Sequence, residues 1–156
     1  MSSSFDAIDR AILYHLQENA RRSITDIADA VDVADNTVRN RIRSLEEEGV
    51  IEGYQVNINY DRIDVQHYYV FFCTARISER ERLVEEARTY PRVLEVISLM
   101  TGKNNVLVVG AGSEKDDMAD LARDIDDTGL EIEREYLVRR HHRKPYGDFE
   151  LDRDSE

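Results

Sequence analysis

Cysteine is almost absent, since Cys73 is the single thiol among 156 residues. One thiol excludes an internal disulfide and a zinc cluster built from cysteines. Its setting among Tyr69, Phe71 and Ala75 predicts a buried strand residue rather than a reactive group. Long apolar runs are missing as well. No stretch is long enough to cross a bilayer, and Met1-Ser2-Ser3-Ser4 gives way at once to an amphipathic pattern. The expectation is a cytoplasmic protein, neither exported nor inserted in a membrane.

Lysine is scarce too: of 21 basic residues only Lys103, Lys115 and Lys144 are lysine, against 33 acidic residues and a net charge of −12. An arginine-rich, lysine-poor, acidic surface predicts an extreme halophile as the source, because like charges are screened within roughly 3 Å at 1 M salt. The deficit of positive charge also bears on function, since affinity for duplex DNA comes largely from cations that displace counterions from phosphate. It is spread evenly, with 7 basic and 13 acidic side chains in residues 1–66 and 14 and 20 in residues 67–156, so that each part carries −6.

Locally the balance reverses. Asp35 to Leu45 holds three arginines against one aspartate, and Arg21-Arg22 stands just upstream. On a helical wheel Val38, Ile42 and Leu45 form one stripe at spacings of four and three, which predicts a helix packed on a core. Asn36, Asn40 and Arg43 point the other way. Two side-chain amides and a guanidinium carry the paired donors and acceptors that match adenine and guanine edges in the major groove. Arg39 and Arg41 flank that row, where phosphates would lie. A solvated surface helix has the same wheel.

The preceding residues bear on the choice. Ile24 to Val31 predicts a short helix with Ile24, Ile27, Ala28 and Val31 on one side, and Asp32-Val33-Ala34 is brief enough only for a turn. Two helices so joined make a helix-turn-helix, with Asp32 taking the left-handed position usually given to Gly. A third helix, carrying Phe5, Ile8, Ile12, Leu13 and Leu16 and capped by Asp6, closes the back of the pair. Glu46-Glu47-Glu48-Gly49 ends the reading helix, and three Glu beside phosphate restrict groove contact to its first turns. Val50 to Ile58 reads as extended, with Tyr54, Val56 and Ile58 alternating, either a wing or a strand that pairs with a second copy. Asn59 to Gln66 reads as a hinge.

From His67 the period becomes two. Tyr69, Phe71, Cys73, Ala75 and Ile77 share one strand face and Tyr68, Val70 and Phe72 the other, which predicts that both faces are covered. Glu79 to Tyr90 is expected as a helix stopped by Pro91. Val93 to Thr101 and Asn105 to Gly110 are expected as a hairpin around Gly102-Lys103-Asn104. Ser113 to Asp127 is expected as a helix capped by Ser113 and ended by Gly129. Leu130, Ile132, Tyr136 and Val138 then alternate along a last strand. The fold class is therefore α+β: an N-terminal helix-turn-helix, winged-helix-like domain followed by a ferredoxin-like βαββαβ domain. The expected divisions are residues 1–52 for DNA binding, 53–66 as linker strand and hinge, 67–140 as the ferredoxin-like domain, and 141–156 as a charged tail.

From Phe5 to Val138 the chain resembles the Lrp/AsnC family, the feast/famine transcriptional regulators. The resemblance rests on Asp9-Arg10-Ala11-Ile12-Leu13, Asn19-Ala20-Arg21, Asp26-Ile27-Ala28, Thr37-Val38-Arg39-Asn40-Arg41-Ile42 and Leu45-Glu46-Glu47-Glu48-Gly49-Val50-Ile51. It implies a regulator that binds double-stranded DNA, forms homodimers and often larger rings, and responds to a small effector, commonly an amino acid. The family commonly has Gly-x-x-Asp in the turn beside its effector site. Here the turn reads Gly102-Lys103-Asn104-Asn105, and a neutral Asn105 pairs less well with an ammonium group than a carboxylate does. The expected effector residues are Met100, Thr101, Gly102, Asn104 and Asn105; the plain alternative is that these residues only make the turn.

The expected DNA contacts are Asn36, Thr37, Asn40 and Arg43 to bases, and Arg21, Arg22, Arg39 and Arg41 to phosphates, with a dimer presenting two such helices about one turn apart. The block Arg139-Arg140-His141-His142-Arg143-Lys144 reads as a solvated or partner-packed extension, with DNA, an acidic partner or a metal as alternatives. Adjacent His do not share a face, which argues against the metal. Leu151 to Glu156 is expected to be disordered. No cofactor is expected. Two rivals stand beside the regulator: an effector-binding co-regulator without DNA affinity, and an enzyme like the tetrapyrrole decarboxylases, which the chain resembles in layout alone. His15, His67, His141 and His142 form no nucleophile-base pair, so the expectation is that it is not an enzyme.

Overall fold

The computed structural model describes residues 5–63, 65, 67–114 and 116–149. The segment Leu151 to Glu156, expected to be disordered, lies outside the described residues. The chain divides into two compact units, one of Met1–Asn57 with His142–Glu156 and the other of Ile58–His141.

The first unit is a three-helix cluster. Helix α1 (Ala7–Glu18) starts at Asp6, whose carboxylate accepts from the Ile8 and Asp9 backbone, while the Asp9 carboxylate accepts from Asp6 N–H. The two satisfy donors that the first helical turn leaves without partners. Helix α2 (Ile24–Val31) is capped by the Ser23 hydroxyl, which accepts from Asp26 N–H. It ends at Asp32 in the left-handed region, with φ 55° and ψ 51°. Helix α3 (Asp35–Glu47) follows with no side-chain cap of its own. Ala11, Ile12, Ile27, Ala28, Val31 and Val38 make the core between them, with Ile8, Leu16, Ile24, Val33 and Ile42 packed around it. Ala11 belongs to this core although the expected stripe omits it, whereas Phe5 is 40% exposed. Beyond Gly49, at φ +72°, the chain bends at Val50 and Ile51 and runs on to Asn59 in neither helix nor strand. Residues 50–58 pair with no strand among the described residues, and Tyr54, Val56 and Ile58 stay exposed.

The basic block 139–144 follows the last strand, Glu131–Val138, exposed and in neither helix nor strand, and the chain then runs on past it. It turns through a short 3-10 helix, Gly147–Phe149, within the first unit. There the Phe149 ring meets Phe5 edge-on at 5.9 Å and Tyr146 at 5.0 Å.

The second unit opens with a 3-10 turn, Tyr60–Arg62, inside the expected hinge. Strands β1 (His67–Thr74), β2 (Val93–Ser98), β3 (Val106–Gly112) and β4 (Glu131–Val138) form one antiparallel sheet in the order β2-β3-β1-β4. Helices α4 (Arg80–Ala87) and α5 (Asp117–Thr128) complete the βαββαβ order. Tyr69, Phe71, Cys73 and Ala75 meet Leu83, Ala87, Leu121, Ile125 and Leu130 in its core.

Several expected bounds are corrected. Strand β1 stops at Thr74, so Ile77 leaves the core face and is 82% exposed. Helix α4 ends at Ala87, before Pro91 can act. Strand β3 runs on to Gly112, because it pairs with β1 as far as His67 opposite Gly112, and Gly110 within it lets α5 approach closely: a Cβ there would lie 2.3 Å from Leu121 Cδ2. Helix α5 starts at Asp117 rather than after Ser113, since the Asp117 carboxylate reaches back to accept from the N–H groups of Ser113 and Glu114 at 2.7 and 2.9 Å. Gly129, at φ +94°, does end it.

The last strand holds the largest departure. Cys73 pairs with Ile132 but Phe72 with Arg134, so Glu133 is the extra residue of a bulge. One extra residue reverses the pleat. Leu130 and Ile132 therefore pack with the helix-covered core, whereas Tyr136 and Val138 fall on the opposite face. On that face Val70, Phe72, Asn104, Arg134, Tyr136 and Val138 line a hollow of about 490 Å³ left open among the described residues, beside Tyr68, whose ring meets Tyr60 and His141.

Candidate nucleic-acid interface

The geometry of α3 follows from its stripe. Val38 and Leu45 are 0% and 4% exposed, which fixes the opposite side outward, and Asn36, Arg39, Asn40 and Arg43 are exposed. Among the described residues no carboxylate lies within ion-pair distance of Arg39 or Arg43. Thr37 is half-buried, and its N–H donates to the Ala34 carbonyl at 2.8 Å. The start of the helix is fixed to α2 by the Thr25 hydroxyl, which donates to Asp35 Oδ2 at 2.7 Å. Its far end is acidic: Ser44 donates to Glu48, and Tyr54 donates to Glu46 at 2.8 Å. Loss of water around the hydroxyl first, and the bond to Glu46 second, push the Tyr54 hydroxyl up to about 12.

Two arginines expected at phosphates are engaged elsewhere. Arg41 Nη1 lies 2.7 Å from Asp6 Oδ2 and 3.1 Å from each oxygen of Asp9. It turns toward the start of α1 because Asp9, 3% exposed, is a buried carboxylate in need of a cation. Arg22 Nη1 meets His15 Nδ1 and donates to Glu18 Oε2 at 3.3 Å, which folds it back along α1. Arg21 is exposed, with its backbone N–H held by Asn19 Oδ1 at 2.9 Å. Asp9 is the residue that composition and wheel leave out; its signal is the Asp6-x-x-Asp9 spacing of a capping box.

The residues expected at an effector all lie between β2 and β3. Met100 is 96% exposed, and Thr101 and Gly102 are exposed, Gly102 at φ +99°. Asn104 lines the open hollow, and its Nδ2 is buried with no hydrogen-bond partner among the described residues. Asn105 departs from expectation. Its Oδ1 accepts from Ala75 N–H at 2.9 Å and its Nδ2 donates to the Ala75 carbonyl at 2.8 Å, so both ends of the amide are committed to backbone. Beside it Lys103 Nζ donates to Glu133 at 3.0 Å. Among the described residues no group of three or more His, Cys, Asp or Glu is placed to hold a metal. Among them, too, no helix is long and apolar enough to cross a membrane.

Comparison with known proteins agrees with this arrangement. A winged helix-turn-helix DNA-binding model matches residues 5–52. An uncharacterized HTH-type transcriptional regulator of Pyrococcus furiosus is 33% identical over 116 residues, spanning 72% of this chain and 76% of that protein. The HTH-type transcriptional regulator LrpA of Pyrococcus horikoshii is 28% identical over 116 residues, spanning 74% and 82%. Among solved structures, a feast or famine regulatory protein of M. tuberculosis complexed with L-methionine superposes with TM-score 0.79 at 20% identity, over 90% of this chain and 96% of that one. Its likeness carries the fold through both units.

Proposed function

The chain belongs to the Lrp/AsnC family of helix-turn-helix transcriptional regulators, and from that premise we propose that α3 is the element with which it reads operator DNA. One observation carries the reading: the side of α3 opposite Val38 and Leu45 exposes Asn36, Asn40 and Arg43, with Arg39 at its flank. Asn36, Asn40 and Arg43, with Thr37 beside them, contact base edges; Arg39 and Arg21 hold phosphates. Glu46 and Glu47 confine the contact to the first two or three turns of the helix.

A homodimer presents two copies of α3 to successive major grooves. The sheet face left open among the described residues, with Val70, Phe72, Tyr136 and Val138, supports a second copy as its cover, since those side chains form a continuous apolar strip. Two of the solved relatives are complexes with L-methionine, from M. tuberculosis and Neisseria meningitidis. By analogy the loop of Met100, Thr101, Gly102 and Asn104 is the effector site, with Asn105 shaping the loop rather than holding the ligand. The chain acts as a regulator rather than an enzyme, in the cytoplasm, and its acid-rich, lysine-poor surface fits a halophile.

Footprinting genomic fragments in molar salt tests the reading. The expected result is paired protected blocks about one helical turn apart, lost when Asn36, Asn40 and Arg43 are replaced together by alanine. Equal protection by that triple variant overturns the assignment of this face.

A further inference from the structure

Apolar packing seats α3 but does not orient it. Contact between Val38, Leu45 and their neighbours is non-directional, so a small rotation of the helix costs little area while moving Asn36, Asn40 and Arg43 relative to a groove. A charge-assisted bridge supplies direction. One nitrogen of Arg41 reaches both carboxylates at the start of α1, at 2.7 Å from Asp6 and 3.1 Å from Asp9. Those carboxylates are themselves held by backbone N–H groups. Asp6 Oδ1 accepts from Ile8 and Asp9 N–H at 2.9 and 3.0 Å, and Asp9 Oδ2 accepts from Asp6 N–H at 3.0 Å. Arg41 follows Asn40 directly and lies two residues before Arg43, so the bridge holds the helix in the middle of its reading row. The Arg41 side chain is 26% exposed and that of Asp9 is 5% exposed, so the pair is screened less by salt than an open surface pair.

We propose that Arg41 is a positioning residue of the reading helix, aiming Asn36, Asn40 and Arg43 through the Asp6–Asp9 cap of α1 instead of contacting phosphate itself. The inference rests on α3 being the base-reading element. It makes a prediction opposite in sign to simple electrostatics: removing a negative charge from a DNA-binding unit ordinarily tightens binding, whereas here it loosens it.

The test uses the full chain, a fragment protected by the wild type, and anisotropy titrations over a range of salt. Asp6→Asn keeps the capping side chain, because Asn caps as well as Asp, but removes the nearer of the two charges that meet Arg41 and leaves only Asp9 to hold it. Arg41→Gln removes the bridge, and Arg41→Lys retains a cation that can reach the carboxylates. The expected outcome is that D6N and R41Q each lose specific affinity by about tenfold with the salt slope of the wild type, and that R41K recovers most of it. The double variant D6N/R41Q should lose less than the two single losses combined. A slope that falls by about 0.9 in R41Q, or a D6N variant that binds as well as or better than wild type, overturns the inference alone. A wild type that binds no fragment overturns the reading of α3 and this inference with it. Should R41Q fail to fold, the sign of the D6N effect still decides.

Discussion

Asn105 and the backbone of Ala75 close a two-bond ring, with Ala75 N–H donating to Oδ1 at 2.9 Å and Nδ2 donating to the Ala75 carbonyl at 2.8 Å. This ring ties the end of β1 to the β2–β3 loop, and only an amide satisfies both sides. Asn105→Asp keeps the acceptor but sets a carboxylate against a carbonyl, and Asn105→Ala leaves both backbone groups without partners. Each should lower the unfolding free energy by about 1–3 kcal/mol, read from urea midpoints. N105D is the sharper case, because it restores the Gly-x-x-Asp pattern common in the family yet should be the less stable protein.

Arg39 and Arg43 make a contrasting pair on the DNA side. Both are exposed, but Arg43 lies in the row with Asn36 and Asn40 whereas Arg39 sits at the flank. Arg43→Ala should cost about 1–3 kcal/mol against the preferred base pair and little against its substitutions, relaxing the site at one position. Arg39→Ala should weaken all sequences alike and reduce the salt slope by about 0.9. Titrations against a set of single-base operator variants separate the two outcomes.

The helix-turn-helix was the most legible part of the chain, because its apolar stripes, the Asp6 cap and the left-handed Asp32 are local signals that agree with one another. The order of elements along the chain was also legible, since period two and period 3.6 alternate after His67. What could not be read is long-range. The bulge at Glu133 is masked in the sequence, where Leu130, Ile132, Tyr136 and Val138 fit one alternation interrupted only by Arg134, and pairing with β1 reveals the reversal of the pleat. The partners of Arg41 lie more than thirty residues away at Asp6 and Asp9, so the wheel that places this side chain on a flank of α3 cannot say which negative group it meets. The same holds for Asn105, to which the family resemblance assigns a place beside the effector and whose geometry shows a clamp on Ala75.

Gly110 records how closely α5 lies on β3. A Cβ at this position would sit 2.3 Å from Leu121 Cδ2 and 2.9 Å from the Arg92 carbonyl oxygen. Leu121 is fully buried and has no room to turn aside, and the carbonyl belongs to backbone. Gly110→Ala should therefore destabilise by about 1–3 kcal/mol or more, as overpacked cores do. Pairing it with Leu121→Ala relieves the methyl clash but not the carbonyl, so the double variant should fall short of additivity without returning to the stability of Leu121→Ala alone. A chemical unfolding series on the four proteins measures this directly.

Acid should act on two particular carboxylates. The Asp6 carboxyl is held below its ordinary value of 3.8 first by the Asp9 N–H and then by Arg41. That of Asp117 is held below the same value by the N–H groups of Glu114 and Ser113 and, more weakly, by Arg92. A carboxylate whose pKa is lower in the folded chain than in the unfolded one stabilises the fold fully above the unfolded value, near 3.9, and loses that contribution as pH falls through the folded value. Stability owed to these groups should thus be level from pH 7 to about 5 and decline below about 4. Asp117→Asn should be less stable than wild type at pH 7, because its amide cannot accept from both N–H groups as strongly or pair with Arg92. It should also lose less on acidification, so that the two curves converge toward pH 2. Urea midpoints taken at intervals from pH 7 to pH 2 give both curves; a gap between wild type and D117N that stays constant down to the lowest pH would show that Asp117 has no share in the acid response.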